Sequence, residues 1–161
     1  MLRNTNTGEI EFRGDRLNIL LVDDDERLAI STAKLLQRYG QCQVKVTDRP
    51  TEFFEQCESN EIDVVLLDIN LPEARWEEQP VSGADLARML KEKSHTAHIP
   101  IILLTAYALA SERQTLLQIS QADDLCIKPV LDYQDLLARM HQLVTRSRMA
   151  QSQDQHHDRE I

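Results

Sequence analysis

Short apolar runs rich in β-branched residues alternate along the chain with longer segments of helical period. The runs at Leu17–Val22, Cys42–Thr47, 62–67, 99–104 and Asp124–Ile127 predict strands. Between the first two, Leu28, Thr32, Leu35, Leu36 and Tyr39 fall on one helical face, which Gly40 ends. "PTEFFEQCESN" opens on a proline suited to a first helical turn. "GADLARMLKEK" predicts a helix burying Leu86, Met89 and Leu90, and "ALASERQTLLQISQ" predicts the next. "DYQDLLARMHQLV" repeats the pattern with Leu136, Leu137, Met140 and Val144, in a helix expected to end near Arg148. Five strand–helix units predict an α/β domain, a parallel sheet with helices on both faces. The third and fourth runs are apolar at nearly every position, as strands covered on both sides should be.

The ends differ from this pattern. Residues 1–16 read as a polar N-terminal extension, residues 17–147 as the domain, and residues 148–161 as a charged tail without an apolar face. Composition narrows the function. The 161 residues carry a net charge of −9 and show no Lys/Arg cluster, which argues against binding nucleic acid. Cys42, Cys57 and Cys126 are odd in number and form no CxxC pair, so they predict buried small hydrophobes rather than disulfides or a zinc site. No signal-peptide core and no span of ~20 apolar residues occurs, so a cytoplasmic, membrane-free protein is expected.

The chemistry gathers at strand ends. In an open parallel sheet, ligands bind outside the carboxyl ends of the strands. The first strand runs into Asp23, Asp24 and Asp25, the third into Asp68, the fourth into Thr105, and the fifth into Lys128. Like charges ~4 Å apart repel by about 4 kcal/mol at an effective dielectric near 20, so the acids need a compensating charge. Carboxylates with a carbonyl and waters make an oxygen site for a hard divalent cation such as Mg²⁺. A carboxylate beside that metal and a lysine can act as a nucleophile toward phosphorus. Asp25 is expected to cap the helix starting near Glu26.

The motifs "ILLVDDDE", "VVLLDINLP", "IILLTAY" and "CIKPV" occur in an order that resembles the receiver domains of two-component response regulators. The resemblance implies a flavodoxin-like, doubly wound, five-stranded sheet of order 2-1-3-4-5 with five helices. It implies Asp68 as phosphoacceptor, with Mg²⁺ held by Asp23, Asp24, Asp68 and the backbone carbonyl of Asn70. Thr105 and Lys128 would contact the phosphoryl group, and the Lys128–Pro129 bond would be cis. The implied partners are a sensor histidine kinase or histidine phosphotransfer protein, an unknown downstream protein, and a second copy through the face of the fourth helix, fifth strand and fifth helix. His95, His98, His141, His156 and His157 form no site of their own, so the donor histidine belongs to the partner.

Three features depart from the family pattern. The glycine that usually follows the phosphoacceptor by about eight positions is here Gly83, displaced by an insertion at about 73–82 that contains Trp76 and Pro80. That insertion reads as a loop folding back on Trp76, or as a partner contact or lid. The position three before the lysine, usually aromatic, is Leu125, with Tyr107 as a substitute. No output domain is recognisable, which predicts a stand-alone receiver signalling by protein contacts rather than an enzyme. A Mg²⁺-dependent phosphohydrolase fits poorly, because its nucleophile would follow the first strand. A phosphorylation-independent docking module with an atypical switch at Leu125 is the alternative.

Overall fold

The computed structural model describes residues 16–106 and 109–157, with side chains to residue 154; Tyr107, nearly all of the N-terminal extension and the last four residues of the C-terminal tail lie outside them. Five parallel strands form the sheet: β1 (Leu17–Val22), β2 (Cys42–Thr47), β3 (Val64–Asp68), β6 (Ile101–Thr105) and β7 (Asp124–Ile127). Their spatial order is β2-β1-β3-β6-β7, which is 2-1-3-4-5 when only this sheet's strands are counted. Strand order therefore reverses between β1 and β3, and a crevice opens there at the carboxyl edge. A separate two-stranded hairpin, β4 (Arg75–Trp76) and β5 (Gln79–Pro80), occupies the insertion.

Alternation along the strands divides the core in two. Leu20, Val22, Val65, Leu67, Ile101, Leu103 and Leu125 face α2 (Pro50–Glu58), α3 (Gly83–Glu92) and α4 (Ala110–Ser120). Ile19, Leu21, Val64, Leu66, Ile102, Leu104 and Cys126 face α1 (Glu26–Tyr39) and α5 (Tyr133–His157). All three cysteines are buried and free, and burial pushes the Cys57 thiol up to about 12. No helix among the described residues is long and apolar enough to cross a membrane.

Several boundaries differ from the sequence reading. β3 starts at Val64 because Asp63 uses its N–H and its carboxylate on the carbonyl and N–H of Asn18. β6 starts after Pro100, which has no N–H for the ladder. On α1 the buried stripe is Ala29, Thr32, Ala33 and Leu36, while Leu28 and Tyr39 lie exposed at the rim. The alanines let the helix approach the sheet closely. Gly40 ends α1 in extended backbone, and its lack of a Cβ leaves room for Leu137, whose Cδ1 would otherwise be 2.9 Å away. α5 buries the four expected residues but does not end near Arg148: it continues to His157. Met149, Ala150 and the glutamines after them are helix-compatible, and no Gly or Pro stops them, so an apolar face is not required for the helix to continue.

One polar tie holds three connections together. Lys91 of α3, largely buried, donates through Nζ to the carbonyls of Ala97 (3.2 Å) and Ile99 (2.8 Å) and to Asp123 Oδ2 (2.8 Å). Asp123 Oδ2 also accepts the N–H of Ile101 at 2.8 Å. Lys91→Met keeps the apolar stem and orphans these acceptors, so urea denaturation should show a loss of about 2 kcal/mol.

Candidate functional site

The carboxyl edge of the sheet gathers the predicted residues. Asp68 is the last residue of β3 and Thr105 the last of β6, while Asp23 and Lys128 directly follow β1 and β7. Pairing of Asp68 with Leu104 and of Thr105 with Ile127 fixes their depth. The Lys128 N–H donates to the Thr105 carbonyl at 2.7 Å, and the Lys128–Pro129 bond is cis. Asp23, Asp68 and Thr105 are buried, and Asp24 is exposed.

The carboxylates of Asp23, Asp24 and Asp68 place one oxygen each within 4.8 Å of one another. A hard divalent cation bound at about 2.0–2.6 Å holds opposite ligands up to ~5 Å apart, so this all-oxygen set fits such an ion. The compensating charge that the structure contains is Lys128. Its Nζ lies 2.6 Å from Asp68 Oδ2 and 3.5 Å from Asp23 Oδ2. Burial pulls the lysine's pKa down, but the bond to Asp68 and the charges of Asp68 and Asp23 outweigh it, so the ammonium stays above its ordinary value. Burial, aided by the Asp68 charge, holds the Asp23 carboxyl above the usual carboxylate range. Two backbone donors orient the acids: the N–H of Asp25 reaches Asp23 Oδ1 at 2.9 Å, and that of Asn70 reaches Asp68 Oδ1 at 3.0 Å. Asn70 thus joins the site through its N–H.

Asp25 stands apart from its two neighbours. It is the N-cap of α1, and its Oδ1 accepts the N–H of Leu28 at 3.1 Å. The three consecutive acids therefore divide into two that face the site and one that serves the helix.

The insertion is a folded hairpin. Trp76 packs on Phe54 of α2 with ring centroids 4.6 Å apart, and Lys93 Nζ lies over the Phe54 ring, 4.5 Å from its centroid. Glu77 and Glu78 form the turn at φ 50° and 68°, a conformation usually given to Asn or Gly. Missing that signal, the sequence predicted a loop folded on Trp76 but not its strands. The N–H of Gly83 closes the excursion on the Ile69 carbonyl at 2.9 Å. A Cβ at Gly83 would lie 1.9 Å from the Asp68 carbonyl oxygen, so this glycine is required by close approach to the site's own backbone. Leu125 is wholly buried in the core.

A five-stranded doubly wound parallel sheet with its crevice at the carboxyl edge defines the flavodoxin-like class of α/β folds. The sequence pattern of the response regulator receiver domain matches residues 19–141, and the chain belongs to that family, the receiver domains of two-component phosphorelay signalling. It is 32% identical over 134 residues to the transcriptional regulatory protein GltR of Pseudomonas aeruginosa, covering 83% of this chain and 51% of GltR. It is 31% identical over 127 residues to the CAI-1 autoinducer sensor kinase/phosphatase CqsS of Vibrio cholerae, covering 78% of this chain and 17% of CqsS. The chain thus spans about half or less of these relatives. In fold it is similar to the receiver domain of the sensor histidine kinase PA1611 from Pseudomonas aeruginosa, solved with a magnesium ion coordinated in its active-site cleft. That likeness has a TM-score of 0.66 at 24% identity and covers 81% of this chain and 99% of that one.

Proposed function

We propose that this receiver accepts a phosphoryl group on Asp68 from a phosphohistidine of a sensor kinase or phosphotransfer protein and signals through contacts with a downstream protein. The observation that carries the reading is Lys128 Nζ at 2.6 Å from Asp68 Oδ2 in a crevice shared with Asp23 and Asp24. A carboxylate oxygen of Asp68 attacks phosphorus, the P–N bond to the donor breaks, and the histidine leaves as imidazole. Lys128, already ionised and half-buried beside Asp68, turns to the new dianion, and the Thr105 hydroxyl donates to one of its oxygens. Asp23, Asp24, Asp68 and the Asn70 carbonyl would hold Mg²⁺, which supplies charge to the equatorial oxygens. The magnesium in the PA1611 receiver's cleft supports this fit.

Incubation with Mg²⁺ and acetyl phosphate, followed by intact-mass measurement, tests the reading. One added phosphoryl group, labile as an acyl phosphate, is expected. A parent protein that never gains mass overturns it and favours a docking module that works without phosphorylation. The division of labour in the acidic run has its own check. Asp24→Ala should weaken Mg²⁺ binding by roughly tenfold or more, a typical loss on damaging a metal's surroundings. Asp25→Ala should leave binding close to the parent value and cost about 1 kcal/mol of stability through the lost cap. Magnesium titration followed by Trp76 fluorescence, beside thermal melts, separates the two.

A further inference from the structure

Helix α4 is held to the sheet differently from its neighbours. α3 buries Ala84, Leu86, Ala87 and Leu90, whereas α4 buries only Ser120, its last residue. Leu116 and Leu117 are half-buried against the core, and residues 109–115 are exposed. Among the described residues, a single side chain ties residues 109–115 to the sheet. Arg113 Nη2 reaches Asp124 Oδ1 at 3.2 Å and the Leu125 carbonyl at 3.3 Å. Among the described residues, and apart from the helix's own backbone ladder, no other hydrogen bond or ion pair joins residues 109–115 to the rest of the protein.

The same carboxylate is gripped from the opposite face of the sheet. Arg139 of α5 places Nη1 2.6 Å from Asp124 Oδ2 and 3.4 Å from the Leu125 carbonyl. Asp124 Oδ1 also accepts the N–H of Leu125 at 2.8 Å. Two arginines from two helices therefore share one acid at the start of the edge strand, at the backbone of the position where the family usually carries an aromatic. This spot connects to the site by pairing: Leu103 lies beside Leu125, Thr105 beside Ile127, and the chain leaves Thr105 to enter α4 at Ala110.

We propose that Arg113 on Asp124 is a latch that holds the start of α4 against β7, and that phosphorylation of Asp68 favours its release. The latch stands on the contacts above; the linkage to phosphorylation rests on the proposed function. A surface-exposed pair of this kind is weak and screened by salt, which suits a contact that must open.

Hydrogen exchange read by mass spectrometry tests both halves. Arg113 is 45% exposed at its side chain, so Arg113→Gln should fold normally. It should exchange the amides of α4 about threefold faster than the parent, as loss of a surface pair permits. About 0.5 M NaCl should speed α4 exchange in the parent but not in Arg113→Gln. Phosphorylated parent should approach the exchange rate of Arg113→Gln, and phosphorylating the variant should add little, because both act on one equilibrium. Arg139→Gln should loosen α5 and β7 with less effect on α4.

Unchanged α4 exchange in Arg113→Gln, or acceleration spread evenly over the core strands, overturns the latch. A latch confirmed by variant and salt, with no change in α4 on phosphorylation, overturns the linkage. A parent that takes up no phosphoryl group overturns the function assigned to Asp68, while the variant and salt arms still decide the latch.

Discussion

Asp68→Asn is expected to remain at background mass after incubation with Mg²⁺ and acetyl phosphate, while the parent gains one phosphoryl group. The amide has the shape of the carboxylate but not its nucleophilic oxygen. Its single oxygen can stand in for Oδ1, which accepts from the Asn70 N–H at 3.0 Å, or for Oδ2, which accepts from Lys128 at 2.6 Å, but not for both, so one of the two bonds is lost while the shape, and with it the fold, is retained. The substitution also removes one of three carboxylates gathered within 4.8 Å. Without metal the variant should melt no lower than the parent, since less like charge faces the same lysine. With Mg²⁺ at 100 times its dissociation constant the parent should gain about 2.7 kcal/mol, and the variant, short of one charged ligand, clearly less. Phosphate that persists on Asp68→Asn would move the assignment to another acid.

Gly83→Ala should be the most damaging single methyl group near the site. Its Cβ would fall 1.9 Å from the Asp68 carbonyl oxygen and 2.9 Å from Ile69 Cα, both backbone atoms that no rotamer change can move. The start of α3 must then lift away, breaking the 2.9 Å bond from the Gly83 N–H to the Ile69 carbonyl and displacing the strand end that carries Asp68. A loss of about 3 kcal/mol in urea denaturation, with slowed phosphorylation, is expected. Gly40→Ala is the informative comparison. There the new methyl meets Leu137 Cδ1 at 2.9 Å, the far end of a flexible side chain, and the cost should be nearer 1 kcal/mol with phosphorylation unaffected. Equal effects at the two glycines would contradict the close-approach account.

The sequence by itself determined the five strands of the main sheet, its five helices and which side chains stand at the strand ends. Strand-ending acids, a threonine and a lysine after different apolar runs announced one edge, because parallel strands bring their carboxyl ends together whatever their order along the chain. The cap role of Asp25 was legible for the same reason: it depends on residues a few positions away. The family's glycine was also found, although displaced to Gly83.

Only the tertiary structure decided what depends on distant neighbours. Glu77 and Glu78 adopt left-handed backbone without the residues that advertise it, held while Trp76 packs on Phe54 from another helix. The buried stripe of α1 turned toward its alanines because the sheet's proximity, not hydrophobicity alone, selects the face. The grip of Arg113 and Arg139 on Asp124 joins residues 11 and 15 positions apart from two faces of the sheet. Local pattern encodes local hydrogen bonding and periodicity; it carries no record of which side chains meet across a fold, and those meetings place Lys128 on Asp68 and fasten α4.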